Sequence, residues 1–204
     1  KNPFAGVYLP SEVNKKRLPI KEAKLKQLQK ECIHLDDDIR WLVALVSDTG
    51  MRLSEAVGLL VDDLVIDAQQ PYVNLIVHPH RRLKTDSSER IIPLVGTSLW
   101  AAQRIKQTQN SQFCFERYCD TDNCNSNSAS AAINKWIKTI AGAEAVIHGF
   151  RHGFRDRLRA VEAPVDMIDQ LGGWSLRSVG QGYGDGYPLE SLYRWMEKIV
   201  LPQS

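Results

Sequence analysis

"HGFRHGFRDRL", residues 148–158, reads as one short helix with a divided surface. An α-helix advances about 100° per residue, so His148, Arg151, His152 and Arg155 share one face while Phe150, Phe154 and Leu158 share another. The apolar face anchors the helix and the cationic face is presented. His148 and Arg151 fall in the first turn, where unpaired backbone N–H groups and the helix dipole already favour an anion. Histidine is an odd choice for a face that need only be soluble. A phosphate is the natural guest.

Outward from this helix, periodicity and turn residues divide the rest of the chain. Pro3, Pro10 and Pro19, with the basic "NKKR" between them, make residues 1–19 an extended arm or interdomain linker. A helical pattern runs from Ile20 to Cys32. "LDDDIRWLVALVSDTG" then places acids at a helix start, an apolar stripe through Ile39, Leu42, Val43 and Val46, and Gly50 at the stop. "MRLSEAVGLLVDDL" is predicted to resume as helix, with Ser54 as its cap. "PYVNLIVHPH" and "ERIIPL" read as strands by their branched and aromatic content, joined by the basic "RRLKTDSS" into a hairpin with a positively charged tip. Helices are expected over "LVGTSLWAAQRIKQ", over "ASAAINKWIKTIAGA" with a stop near Gly142, and over "APVDMIDQLGGW" with a two-glycine close. "PLESLYRWMEKIV" follows as an amphipathic helix, and residues 108–128 form a polar connection. The fold class is therefore α+β, mainly helical, with one small antiparallel sheet.

With 204 residues and 43% hydrophobic content, the chain can bury a real core, most simply as one domain with a short appended arm. Lys and Arg number 26 against 24 Asp and Glu, a net charge of +2 that is too mild to identify a nucleic-acid partner. Clustering carries that argument instead. Arg151 to Arg159 holds four arginines and one aspartate, and Arg81, Arg82 and Lys84 form a second basic knot. No apolar run approaches the roughly 18 residues that span a membrane, and no signal-peptide pattern opens the chain, so a soluble, intracellular protein is expected. Because the first residue is Lys1 rather than Met, the sequence is expected to be a piece of a longer protein.

Two groups of potential metal ligands have simpler readings. Asp36, Asp37 and Asp38 suit helix capping and the helix dipole. Cys114, Cys119 and Cys124 are spaced C-x4-C-x4-C, wider than the pairs zinc prefers and without an obvious fourth ligand. Together with Cys32 they are expected to be free thiols in a reducing compartment.

Five stretches in order, "TGMRLSEAVGL", "LKTDSSERIIPL", "HGFRHGF", "LGGWS" and a tyrosine nine residues past that tryptophan, resemble the catalytic domain of tyrosine recombinases, the phage-integrase family. The resemblance runs from about Leu18 to the end. It implies residues 20–204 as the catalytic domain, with the N-terminal DNA-binding domains of the full protein absent. In that family a tyrosine attacks a DNA phosphodiester, forms a 3′-phosphotyrosyl bond and frees a 5′-hydroxyl. No ATP and no dedicated metal are needed, and no G-x-x-x-x-G-K-[ST] loop is found in the chain.

The resemblance assigns Arg52 and Arg151 to the non-bridging oxygens, which arginine suits through its permanent charge and paired donors. His148 is suited to proton transfer. Trp174 stands where the family has histidine or tryptophan, and its indole N–H can donate to a phosphate oxygen. Lys84 matches the lysine that protonates the departing 5′-oxygen, and Tyr183 the nucleophile, with Tyr187 four residues later as the alternative. Glu55 is expected to orient Arg52, and His152 to be a buried support. Arg81, Arg82 and Arg155 are expected DNA contacts. The implied partners are double-stranded DNA attachment sites, a homotetramer on DNA, and accessory DNA-bending or directionality proteins, in a bacterial or phage-encoded cytoplasmic enzyme. The C-terminal helix either docks on a neighbouring protomer or packs on its own domain. Two other readings are a type IB topoisomerase-like nicking-closing enzyme and a DNA-binding module without catalysis.

Overall fold

The computed structural model describes residues 18–83, 88–174 and 186–202. Within these, the architecture is mainly helical with one three-stranded antiparallel sheet, as expected. Helix α1 (Glu22–Leu35) buries Leu25, Leu28, Gln29 and Cys32, the i, i+3, i+4, i+7 stripe of an amphipathic helix. Helix α2 (Asp38–Thr49) is the central element. Its N-cap Asp37 accepts from the Arg40 amide, and every residue from Trp41 to Thr49 is buried.

Gly50 ends α2 for two reasons. It adopts φ 62°, and a β-carbon there would lie 2.3 Å from the ring of Phe154. Phe154 belongs to α6 (His148–Ala160), so the stop signal of one helix is also the seat of another.

Between these elements the chain does not continue as the predicted helix. Helix α3 covers only Leu53–Val57, and a 3₁₀ turn follows at Val61–Asp63. Gly58 packs under the aliphatic stem of Arg81, and the backbone then pairs elsewhere: Cys114 N donates to Leu59 O and Val61 N to Gln112 O. Tertiary hydrogen bonds replace the helical ones. The expected cap also shifts, because Glu55 accepts the amide of Arg52, making Arg52 rather than Ser54 the N-cap residue.

Strands β2 (Tyr72–Leu75) and β3 (Arg90–Pro93) form the expected hairpin, in register Val73↔Ile92 and Leu75↔Arg90. A two-residue strand β1 (Leu64–Val65) adds an edge that is too short to show in sequence. Helix α4 (Gly96–Thr108) lies along α2, and α5 (Ser126–Ala141) packs against α1 and α3. The connection between them carries a buried cluster of Phe113, Cys114, Phe115, Tyr118 and Cys119, more apolar than its flanks predict.

That connection also corrects the cysteine reading. Cys119 and Cys124 face each other across an antiparallel bridge and are joined by a disulfide, while Cys32 and Cys114 are free and buried. The hairpin-like return of the chain, in which Asn125 N donates to Tyr118 O, sets the two sulfurs side by side. No metal-binding group of His, Cys, Asp or Glu occurs among the described residues.

Helix α7 (Val165–Gly172) and helix α8 (Leu189–Glu197) complete the domain. The apolar stripe of α8 is covered by its own domain: Leu192 and Met196 are buried, as is Ile199 just beyond the helix, and the helix packs on β3. A polar network ties the backbone just beyond α8 to the central helix. Asp48 of α2 accepts from Gln29, from both the amide and hydroxyl of Thr97, and from Arg157, which also donates to Ile199 O and Ser47 O. No described helix is long and apolar enough to cross a membrane.

Two measurements check this core. Under denaturing, non-reducing conditions a thiol titration should find two free thiols per chain, and all four cysteines after reduction; four before reduction would refute the disulfide. Asp48→Ala should lower unfolding free energy in urea by about 3 kcal/mol or more, because it strands the buried Arg157 guanidinium.

Candidate phosphate-binding site

The site is built where α2, α3, α6, α7 and β3 converge. Arg52, at the start of α3, donates to Glu55 Oε1, to Ser88 Oγ at 3.2 Å and to Gly173 O at 3.2 Å. Glu55 is 2% exposed. Its second oxygen accepts from the Arg52 amide at 2.9 Å and from Arg90 at 3.0 Å. Burial is the largest influence on this carboxyl and raises its pKa. The neighbouring Arg90 and Arg52 overcome it, so the group sits below the ordinary carboxylate range.

Arg151 projects from the first turn of α6 and is 5% exposed. One of its terminal nitrogens donates to Gly50 O at 2.7 Å. The other, Nη2, is buried and has no hydrogen-bond partner among the described residues. Its guanidinium carbon stands 4.3 Å from the centroid of Trp174, and that of Arg155 stands 4.7 Å away. Burial lowers the pKa of Arg151 to about 9, with the positive charges of Arg52, Arg90 and Arg155 adding to the effect against the pull of Glu55. Such a group favours an anionic neighbour, which would satisfy the unpaired donor and relieve the crowding of cations.

The "LGGW" stretch is shaped by these arginines. Gly173 adopts φ 60°, and a β-carbon there would meet Arg90 Nη1 at 2.6 Å. A β-carbon on Gly172 would lie 1.8 Å from the Trp174 ring. Both glycines are there because side chains occupy the space beside them, and the second also supplies the carbonyl that Arg52 holds.

The structure thus brings Arg52, Glu55, Arg151, Arg155 and Trp174 into one cluster. His148 is half-buried in the same turn as Arg151, with its ring 5.0 Å from that of His152 in an edge-to-face contact. His152, predicted as a buried support, is exposed, since its position on α6 faces away from the core. Arg155 is tied to Asp169 at 3.1 Å, so its charge is partly committed within the domain.

Arg81 departs furthest from expectation. It is 3% exposed and donates to Glu55 O and Ile76 O, with the Asp63 carboxylate 3.6 Å away, so it braces the hairpin against α3 from inside. Its neighbour Arg82 is exposed. Lys84 and Tyr183 lie outside the described residues. Tyr187 is within them, and its hydroxyl donates to both oxygens of Asp166, at 3.1 and 3.0 Å. Burial, then Asp166, raises its pKa, the wrong direction for a nucleophile.

Arg90 is the residue that sequence reading missed. It resembles an ordinary strand residue in "ERIIPL", yet its side chain is buried among polar partners. The only available signal was a charged residue at an inward-facing strand position.

Comparison with known proteins agrees with this geometry. Residues 19–187 match the model of the phage integrase family. The fold is similar to that of the Tn1549 transposon integrase solved in complex with transposon right end DNA, with a TM-score of 0.61 and 17% identity over 95% of this chain and 69% of that one. It is also similar to the XerH site-specific recombinase bound to a palindromic difH substrate in a post-cleavage complex, with a TM-score of 0.57 and 18% identity over 82% of this chain and 49% of that one. The XerA recombinase gives a TM-score of 0.57 and 16% identity, covering 97% of this chain and 64% of that one. No curated protein sequence matches. The chain belongs to the phage integrase family, and its fold is that of a tyrosine recombinase catalytic domain.

The charge state of Glu55 generates a prediction. Its folded pKa lies below the ordinary value of 4.5, so its contribution to stability is complete above about pH 4.5 and is lost as the pH falls through the folded value. Glu55→Gln should therefore destabilise the protein at pH 6, and the difference from wild type in urea midpoints should narrow towards pH 3. A gap independent of pH would contradict the assignment.

Proposed function

We propose that this chain is the catalytic domain of a site-specific DNA recombinase, a mobile-element integrase, which cuts and rejoins strands through a 3′-phosphotyrosyl intermediate. The observation that carries this reading is the cluster of Arg52, Arg151 and Trp174, with the buried Nη2 of Arg151, which has no hydrogen-bond partner among the described residues. The geometry supports an acceptor for a tetrahedral anion, and family membership supports DNA as its source.

In this mechanism Arg52 and Arg151 donate to the non-bridging oxygens of the scissile phosphate and stabilise the negative charge that gathers there in the pentavalent transition state. The Trp174 indole N–H donates to one of the same oxygens. Tyr183 attacks the phosphorus and passes its phenolic proton to His148. The P–O bond to the 5′-oxygen breaks, and Lys84 protonates that oxygen as it leaves. A 5′-hydroxyl from a partner strand then attacks the phosphotyrosyl ester, expelling Tyr183 and restoring a phosphodiester. The bond is conserved as an ester throughout, so neither ATP nor redox chemistry enters the balance.

Arg82 and Arg155 supply further positive charge near the duplex. Residues 20–204 act as the catalytic domain, reached through residues 1–19 from DNA-binding domains. The working assembly is a homotetramer on two attachment sites in a bacterial or phage-derived setting, with accessory DNA-bending or directionality proteins. The matched Tn1549 and XerH structures are themselves DNA complexes, which supports the duplex as partner.

The test is a nicked suicide duplex from which the cleaved end diffuses away, resolved on a denaturing gel. Wild type and Tyr187→Phe should form a covalent protein–DNA band and Tyr183→Phe should form none. Arg151→Ala should slow its appearance by about 100-fold to 1000-fold. A band that survives Tyr183→Phe would overturn the choice of nucleophile.

A further inference from the structure

One arginine of the cluster is committed to partners inside the domain. Arg90 opens β3, directly after the hairpin loop that holds Lys84, and its side chain is 4% exposed. Three donors leave its planar head in different directions: Nε to Leu171 O at 2.9 Å, Nη1 to Ser88 O at 2.7 Å and Nη2 to Glu55 Oε2 at 3.0 Å. These partners belong to the end of α7, the base of the hairpin and α3. Arg52 contacts the same three places, through Gly173 O, Ser88 Oγ and Glu55 Oε1. The two arginines and Glu55 thereby close a circuit between α3, β3 and the turn that presents Trp174.

Stability alone is a weak reason to keep such a group. Burying an ion pair costs desolvation, and apolar residues of similar volume often do as well or better. Geometry and charge give a stronger reason. A lysine could neutralise Glu55 but could not reach three divergent acceptors with one rigid head. Without any cation at position 90, the Glu55 carboxylate would keep Arg52 as its one hydrogen-bonded arginine among the described residues and draw that guanidinium into a neutral pair. With Arg90 present, the two arginines and one carboxylate leave a net positive charge, and Arg52 keeps donors for a further anion.

We propose that Arg90 is a positioning residue for strand transfer: it holds Glu55, and through Glu55 the guanidinium of Arg52, in register with the Leu171–Trp174 turn, and it shares the Glu55 charge so that Arg52 remains free for the scissile phosphate. The proposal rests on the strand-transfer reading for its chemistry, while its structural content concerns Arg52 alone.

Two measurements test it, using the suicide duplex on which wild type forms its covalent band. The first compares Arg90→Lys and Arg90→Met with wild type in single-turnover cleavage, alongside Arg52→Ala and the Arg52→Ala/Arg90→Met double variant. Arg90→Met should cleave about 100-fold more slowly while binding the duplex with affinity within about twofold of wild type, the size of loss expected when a reacting group is misplaced by about 1 Å. Arg90→Lys should fall between. On a duplex whose scissile phosphate carries a methyl group in place of one non-bridging oxygen, the Arg90→Met defect should shrink, because less charge awaits Arg52; a merely structural role would leave it the same size. In the Arg52→Ala background Arg90→Met should add little. Multiplying defects, or wild-type cleavage by Arg90→Met, would overturn the proposal.

The second measurement needs no activity. The Nε–H resonance of Arg52 in the free protein should show high order in wild type and lose it in Arg90→Lys, with the core amides unchanged. An unaltered Arg52 signal would refute the inference. Absence of a covalent band with wild type would instead count against the strand-transfer reading, and the resonance would still decide the role of Arg90.

Discussion

Glu55 is a buried carboxylate held by two arginines, and the arrangement of the site follows from that pairing. A single carboxylate at this depth would be costly on its own; between Arg52 and Arg90 it stays charged, and each arginine is fixed by the other's claim on it. Because Arg52 also holds Gly173 O and Arg90 also holds Leu171 O, the C-terminus of α7 cannot move without disturbing α3. The double glycine that ends α7 gives the two arginine-facing carbonyls and the Trp174 ring the room they need.

A second buried carboxylate organises the C-terminal end of α2. Asp48 gathers Gln29 from α1, Thr97 from the start of α4 and Arg157 from α6, and Arg157 extends the network to the backbone beyond α8. The central helix is thus bounded by polar anchors, with Gly50 between them receiving both Phe154 and a hydrogen bond from Arg151. One face of α6 is locked into the core by these contacts. Arg151, in the first turn of α6, is thereby held with its guanidinium beside the Trp174 ring. The chemistry proposed for the site needs positions of that kind, since electrostatic stabilisation of a transition state depends on donors already aimed before the charge develops.

Much of this is legible in the residues. The helix at 148–158, the stop at Gly50, the hairpin of "PYVNLIVHPH" with "ERIIPL" and the order of the five recombinase-like stretches all rest on local spacing, and local spacing survives folding. Expectation and structure part where distant segments intervene. The helix expected through "MRLSEAVGLLVDDL" ends after Val57 because residues 112–114 take its backbone hydrogen bonds. Arg81 looks like part of an exposed basic knot and is instead enclosed by Glu55 O, Ile76 O and Asp63. Cys119 and Cys124 give no sign of pairing until the chain reverses between them, and His152 cannot be told from its neighbour His148 by periodicity, since both lie on one stripe.

The fold class, the family and the set of residue types that a phosphate clamp requires are all written in the order of residues along the chain. Periodicity and motif order are properties of sequence neighbours, and they need no knowledge of what packs against them. Which charges are free and which are spent internally is settled only by packing in three dimensions. Arg81 and Arg90 are as basic as Arg52 and Arg151 in composition, but a guanidinium acts on a ligand only if its donors are not already satisfied, and that depends on carbonyls and carboxylates brought from elements tens of residues away.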